Sequence, residues 1–355
     1  MFQRKTVFVI GAGCSAEYRL PVGDKLKTQI VTRLRALSAL RRVVSSNQDH
    51  ALNEALSLRG ECDFNEWCRL AGSMADALQH TSSIDRYLNL RQDDPRIVAL
   101  GKLMIVRCIL HAEAKSTLAL TDKGRIEYTK VHAHLGEGVP HWLGQLFEQL
   151  QESVSNRDNL PGIFENITFI SFNYDRCIKH YFYHALRELG SLSRAATEAA
   201  TESCAVYHPY GRVGLFGQET DAPASPVIPF GDTALDGARL NALASDIKTF
   251  TERVEEGEEL RTIREKLAAA EQVVFLGFSF LDQNMDLLTP TSHGVASSLI
   301  GTVYGEPGPS IPIYRDAIVK ALSGNHPGTT HLPSPALHPM RAGDFMRDYG
   351  NVLRR

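Results

Sequence analysis

The stretch TVFVIGAGCS, residues 6–15, decides the fold class of this chain. Its first half is short and apolar, which predicts a buried strand, and Gly-Ala-Gly at 11–13 breaks that strand before residues that can begin a helix. The two glycines let a backbone approach a pyrophosphate, and a helix N-terminus offers N–H groups and the positive end of its dipole. The stretch therefore predicts the strand–turn–helix unit of a nucleotide-binding α/β fold.

Length and composition are those of an ordinary globular protein. The chain has 355 residues, of which 43% are hydrophobic and 22% charged, so it is long enough for two domains or for one domain with a large insertion. The net charge of -3 shows no basic excess that would indicate nucleic-acid binding. The sequence has no apolar run long enough to span a membrane and enters a strand within a few residues. We therefore expect a cytoplasmic protein that binds neither membranes nor nucleic acid.

Cysteine and histidine spacing does not indicate a metal site. None of the six cysteines belongs to a Cys-x-x-Cys pair, which predicts reduced thiols rather than a zinc module or a disulfide framework. His132, His134 and His141 are close in sequence, but no acidic or cysteine partner accompanies them at zinc-ligand spacing. We expect no bound metal.

The chain divides into a helical part and a part where strands alternate with helices. Residues 22–150 show apolar residues at helical spacing, whereas strand patterns recur at 166–172, 205–208, 273–276 and 301–304. This alternation predicts a Rossmann-like parallel sheet flanked by helices, with a large, mainly helical insertion. The predicted domains are a core of residues 1–25 and 160–320, an insertion of residues 26–159, and an irregular C-terminal tail of residues 321–355 with one short helix near Asp344.

Polar segments follow four of the predicted strands, and parallel strands would deliver them to one edge of the sheet. They are Gly11–Ser15, Ser171–Asp175, Tyr207–Gly211 and Phe275–Phe280. Each alone has a plain structural interpretation. Gly-Ala-Gly occurs in many nucleotide enzymes, Asn-x-Asp is a common helix cap, a histidine before proline is usually structural, and Gly-Phe-Ser is a common strand-to-helix turn. The joint occurrence in this order favours a single site.

The order of these segments resembles the sirtuin-like family, in particular its bacterial branch of NAD hydrolases associated with anti-phage defence. The resemblance covers residues 1–25 and about 165–290. It implies that NAD is the substrate and that Asn173 lies by the nicotinamide ribose, with Asp175 near the carboxamide. It further implies a set of residues that hold the phosphates, the ribose and the adenosine side of NAD: Gly11, Ala12, Gly13, Cys14, Ser15, Pro21, Gly277 and Ser279.

Two departures from the family pattern bear on the activity. The deacylases of the family usually carry a four-cysteine zinc module, which this chain cannot build. The family often shows histidine directly before glycine, whereas Tyr210 stands in that position here and His208 lies two positions earlier. The catalytic set is therefore Asn173, Asp175 and His208, with the identity of the base left open.

The resemblance implies an NAD hydrolase that releases nicotinamide and ADP-ribose, acting in anti-phage defence by NAD depletion. One alternative is a catalytically weak NAD-binding or scaffold subunit of a defence complex, which Tyr210 would favour. Another is an NAD-dependent deacylase, which the cysteine count disfavours. A hydride-transfer dehydrogenase would fit the first loop alone. Because uncontrolled NAD hydrolysis would deplete the host, we expect a homo-oligomer or a complex with another defence protein.

Overall fold

The computed structural model describes residues 2–40, 49–152, 154, 157–190, 192–217, 226–249, 252, 257–290, 292, 294–323 and 332–355. Six strands in these residues form one all-parallel sheet: β1 Thr6–Ile10, β2 Ile167–Ser171, β3 Ala205–Tyr207, β4 Gln272–Leu276, β5 Ser298–Thr302 and β6 Ala336–His338. Their spatial order, β3-β2-β1-β4-β5-β6, is that of the doubly wound dinucleotide-binding fold. The predicted Rossmann-like α/β class is confirmed.

Strand β1 lies at the centre of the sheet, between β2 and β4, and all five of its residues are buried. Phe8 and Ile10 belong to the core on one face of the sheet, and Val7 and Val9 to the core on the other. Because alternate side chains point to opposite faces, an apolar strand of this kind needs helices on both sides. This is why the opening stretch of the sequence determines a three-layer arrangement.

Fifteen α-helices surround the sheet or form the helical region, as far as the described residues show. They are α1 Ala12–Ala16, α2 Gly23–Ala39, α3 His50–Arg59, α4 Phe64–Ala77, α5 Ile84–Leu90, α6 Pro95–Lys115, α7 Tyr128–Leu135, α8 Trp142–Gln151, α9 Cys177–Gly190, α10 Arg194–Glu202, α11 Gly237–Asp246, α12 Glu258–Ala268, α13 Asp282–Leu287, α14 Ser310–Ser323 and α15 Ala342–Arg354. No helix in the described ranges has the length and apolar composition needed to cross a membrane.

Several helices of the insertion begin at an acidic cap. The side chains of Asp49, Asp63 and Asp94 accept hydrogen bonds from the first turns of α3, α4 and α6, which satisfies N–H groups that have no partner inside the helix. Helix α2, by contrast, begins without a side-chain cap. That helix begins at Gly23, and Asp24 lies in its first turn, where a carboxylate still favours the helix dipole.

The helical region has a core of its own. Helix α2 packs on α4, and α11, from the C-terminal half of the chain, packs on α3 and α6. Tyr174 and Tyr210, which follow β2 and β3, are buried in this same core. The apolar faces of the helices are thus covered within the chain, by one another and by the edge of the sheet. Helix α8 instead contributes to the sheet core, so packing does not follow the predicted end of the insertion. The division into domains remains a prediction.

The C-terminal segment differs from the expected irregular tail. Strand β6 pairs with β5 and forms the edge of the sheet, and α15, which is 13 residues long, packs on α8. Phe345, Met346 and Leu353 of this helix are buried in the sheet core. A strand of only three residues gives little sequence pattern, and the prolines and histidines around it predict irregular structure instead. Strand β6 is stabilised by its pairing with β5.

Candidate functional site

The loop after β1 contacts the end of β4, at the point where the strand order of the sheet reverses. The main-chain N–H of Gly11 donates to the carbonyl oxygen of Leu276 at 3.0 Å, and the N–H of Gly13 donates to that of Gly277 at 3.0 Å. In open α/β sheets this switch point is where ligands bind. The first and fourth polar segments are therefore brought together.

The glycines of the first loop allow a close contact between two backbones. A Cβ atom added to Gly13 would lie 2.8 Å from the Cα of Gly277, and Gly277 itself has a φ of +55°. We expected Gly13 to allow a pyrophosphate to approach, but its N–H is used by the turn after β4. The glycines thus first of all permit the two loops to pack, because any side chain would separate them.

Asn173 and Ser15 join the first and second segments. The Nδ2 atom of Asn173 donates to the carbonyl oxygen of Gly11 at 3.0 Å and to the Oγ of Ser15 at 2.8 Å. The Ser15 hydroxyl in turn donates to the Oδ2 of Asp175 at 2.7 Å. All three side chains are buried. They form a continuous hydrogen-bonded chain, amide to hydroxyl to carboxylate, which holds the two segments in a defined geometry.

Asp175 also acts as a helix cap. Its other oxygen, Oδ1, accepts from the main-chain N–H of Cys177 at 3.1 Å, at the start of α9. The plain interpretation of the Asn-x-Asp motif, a helix cap, therefore holds for this carboxylate. A residue that caps a helix and contacts the first loop is held rigidly, as a residue that positions a ligand must be.

The third segment brings His208, rather than Tyr210, to Asn173. The Nδ1 atom of His208 lies 3.0 Å from the carbonyl oxygen of Asn173, and the imidazole is buried. The side chain of Tyr210 instead lies in the helical core, where its hydroxyl donates to the Oδ1 of Asn284 at 2.8 Å. The chain turns after β3, so the two side chains enter different environments although they are two residues apart.

The remaining predicted residues lie around this group without joining its hydrogen bonds. Ala12 is half-buried and Pro21 is buried in the link between α1 and α2. The thiol of Cys14 is fully buried in the sheet core, and burial raises its pKa, with the charges of Glu17 and Asp175 adding to the effect. Ser279 is exposed, two residues after Gly277.

A small cavity lies beside two of the proposed catalytic residues. Asp175 and His208 line it together with Val206, Arg212 and Phe216, and its volume is about 10 Å³. A polar cavity of this size is near the lower limit for holding one water molecule.

Two residues that sequence reasoning did not identify support the site. Glu259, in the first turn of α12, accepts the main-chain N–H of His208 at 3.0 Å. Thr302, at the end of β5, accepts the N–H of Gly277 through its hydroxyl at 3.0 Å. Thr302 is a polar residue at the end of a parallel strand, and this position could have indicated that it lies at the ligand-binding edge of the sheet. Glu259 lies in a Glu-rich stretch that predicts a solvated helix face, and nothing local distinguishes it.

The residues on either side of Asp175 anchor the second segment. Tyr174 donates a hydrogen bond to Asp85 of α5, and Arg176 pairs with Glu113 of α6 at 2.6 Å with both side chains buried. Arg176 also donates to the carbonyl oxygen of Ile228 at 2.7 Å. A buried pair is costly to break, so these contacts tie the Asn-Tyr-Asp-Arg motif to the helical region.

Glu17 connects the first loop to two helices. Its carboxylate accepts the main-chain N–H of Trp142 at 2.9 Å and that of Gly343 at 2.8 Å, at the N-termini of α8 and α15. Burial raises the pKa of Glu17 to about 7, although both N–H groups lower it; the charge of Asp344 raises it further and that of Arg341 lowers it. The Glu17 carboxylate thus holds the C-terminal helix next to the site, although its own burial is unfavourable for the charged form.

Comparison with known proteins gives one match. A family model described as a SIR2-like domain matches residues 167–294. The matched part contains Asn173, Asp175, His208 and Gly277, whereas the loop at 11–15 lies outside it but is hydrogen-bonded to it. Searches of the curated proteins and of the solved structures found no match. The match supports a sirtuin-like family for this chain, and with it the binding or use of NAD.

Proposed function

We propose that this protein is an NAD hydrolase that cleaves the bond between nicotinamide and ribose, giving nicotinamide and ADP-ribose. The observation that carries the proposal is the hydrogen-bonded group of Ser15, Asn173 and Asp175, with His208 against Asn173, at the carboxyl edge of the sheet. Three separate strand ends supply these residues, and two of the three lie in the part of the chain that matches the SIR2-like domain.

The reaction needs what these residue types offer. The nicotinamide leaves without prior protonation, and the ribose passes through a state that resembles an oxocarbenium ion. A buried carboxylate at Asp175 favours positive charge on the ring, since charges interact strongly where water is excluded. A general base that takes a proton from water or from a ribose hydroxyl accelerates such a step by about 10²–10⁴. His208 is the residue we assign to that role.

In the proposed complex the nicotinamide end of NAD lies by Asn173, with the carboxamide near Asp175. The phosphates and the ribose lie along the first loop, residues 11–15, and past Pro21, and the adenosine side lies by Gly277 and Ser279. The exposed Ser279 and the main chain at Gly277 border the switch point of the sheet, as this placement requires.

A second candidate function has a specific observation in its favour. Both amide hydrogens of Asn173 and both oxygens of Asp175 already have partners within the chain. Such a group can serve to hold loops together, as in an NAD-binding or scaffold subunit without turnover. The third candidate, a deacylase, is disfavoured because the sequence cannot form the four-cysteine zinc module.

We also propose a setting for the activity: a cytoplasmic effector of anti-phage defence that acts by NAD depletion and is controlled by self-association or by a defence partner. The apolar faces of α2, α4 and α6 are buried within the chain, so they do not supply that interface. Light scattering at micromolar concentration tests the association. A monomer with strong constitutive turnover would contradict it.

One assay separates the three functions. The full chain is incubated with NAD, with and without an acetyl-lysine peptide, and nicotinamide is followed by chromatography. Release without peptide supports the hydrolase, and release only with peptide identifies a deacylase. Binding of NAD by calorimetry without release identifies the scaffold function and contradicts our proposal.

A further inference from the structure

A second cavity lies in the helical region, apart from all the residues predicted for NAD. It has a volume of about 430 Å³, and α3, α6, α11 and the segment after α11 supply its walls. Small-molecule sites typically have volumes of about 300–1,000 Å³. The segment that forms one wall also contacts the third polar segment, because the N–H of Lys248 donates to the carbonyl oxygen of Tyr210 at 3.0 Å.

The cavity places two cationic side chains together. Lys102 is about nine-tenths buried, and its Nζ lies 2.6 Å from the Oε1 of Glu252. Arg59 is the second cation. Its terminal nitrogens donate hydrogen bonds to Asn241 and Glu61. Arg59 and Lys102 thus bring two positive charges to the wall of one cavity, where an anionic oxygen would interact favourably with both.

The charges around Lys102 favour an anion. Burial lowers the pKa of this lysine, Glu252 raises it, and the charges of Lys248 and Arg59 lower it further. The residues that line the cavity thus include two cationic side chains, Arg59 and Lys102, against one carboxylate, Glu252. An anionic ligand group would relieve this repulsion, as the Glu252 carboxylate already does in part.

The other polar groups of the cavity indicate what the anion is attached to. Gln92, Ser245 and Thr249 offer an amide and hydroxyls, which match the hydroxyls of a sugar. None of the described residues lining the cavity is aromatic, so it offers no surface on which a nucleobase would stack. We propose that this cavity binds a compact phosphorylated sugar, with Arg59 and Lys102 holding the phosphate.

Calorimetric titration of the full chain with ribose 5-phosphate tests the proposal. The expected result is saturable binding that Lys102→Met and Arg59→Gln each weaken at least about tenfold, since each removes a charge-assisted hydrogen bond. Glu252→Gln is expected to tighten binding, because it removes the competing carboxylate. Lys130→Met, at an exposed lysine of α7, is the matched control and should bind as the unchanged chain does.

The outcomes separate the parts of the proposal. The proposal is overturned if neither the unchanged chain nor Glu252→Gln binds ribose 5-phosphate. It is also overturned if Lys102→Met and Arg59→Gln, shown by circular dichroism to be folded, both bind it as tightly as the unchanged chain does. Ribose without phosphate should not bind. Inorganic phosphate binding as tightly as ribose 5-phosphate would overturn the assignment of a sugar. Because the readout is binding, a protein that does not hydrolyse NAD can still confirm this site.

Discussion

The Nδ1 atom of His208 lies 3.0 Å from the main-chain carbonyl oxygen of Asn173. A carbonyl oxygen only accepts hydrogen bonds, so in a neutral imidazole Nδ1 carries the hydrogen and Nε2 carries the lone pair. One proposed catalytic residue thus determines which nitrogen of the other can take a proton.

Substitutions at His208 and Tyr210 test which of the two residues acts in catalysis. We expect His208→Ala to lower the rate of nicotinamide release by about 10²–10⁴, the usual contribution of a general base, while NAD affinity changes little. Tyr210→Phe removes only the hydroxyl that bonds Asn284 and should leave turnover within about threefold, because no reacting atom loses a partner. Steady-state kinetics measure both, and the reverse order of effects would contradict the assignment.

Replacing Asn173 should affect both activity and stability. Asn173→Ala loses the bonds to Gly11 and Ser15, so we expect turnover to fall at least about 100-fold and the free energy of unfolding to fall by about 1–3 kcal/mol. Asn166→Ala is the control, because Asn166 lies just before the same strand and donates to the carbonyl oxygen of Phe2 at 2.8 Å. It should cost stability alone. Equal loss of activity in both variants would mean that Asn173 acts through the fold.

The contact between the first loop and the turn after β4 predicts a steric effect. Gly13→Ala would place a methyl group 2.8 Å from the Cα of Gly277, and we expect the free energy of unfolding to fall by about 1–3 kcal/mol. A Cβ at Gly23, the first residue of α2, would meet nothing within 4 Å, so Gly23→Ala should be neutral or slightly stabilising. Urea denaturation compares the two. Equal stabilities would show that the loops separate easily.

Glu17 predicts a pH-dependent stability. Its pKa is about 7 in the folded protein against 4.5 as the ordinary value, so the folded state binds the proton more tightly. The contribution of this residue to stability therefore falls as pH rises from about 4.5 to 7, by roughly 3 kcal/mol, since one pKa unit corresponds to about 1.4 kcal/mol.

The variant Glu17→Gln removes this titration. It also loses part of the capping of α8 and α15, which lowers stability at every pH. The free energy of unfolding of the variant relative to the unchanged chain should therefore rise between pH 5 and pH 8, as urea denaturation can measure. The exposed Glu165→Gln is the control. A difference that is the same at both pH values would contradict a raised pKa at Glu17.

Much of the framework was predictable from local sequence. The apolar run at 6–10, the glycine turn after it, and the return of strand patterns at 166–172 and 273–276 predict a parallel sheet with ligand-binding loops at one edge, and strands lie at all three places. The apolar spacing of Leu26, Ile30 and Leu34 likewise predicts α2. These features depend on the side-chain periodicity of a strand or a helix, which can be recognised from residues close together in the sequence.

The tertiary structure alone decided which distant residues meet. It placed His208 on Asn173 and turned Tyr210 into the helical core, paired the three residues of β6 with β5, and set Gly13 against Gly277. It also brought Glu259 to the site from a Glu-rich helix with no local sign of that role. Periodicity tells which face of an element is buried, but not which partner covers it. That choice depends on the packing of the whole chain, because such contacts join residues far apart in sequence.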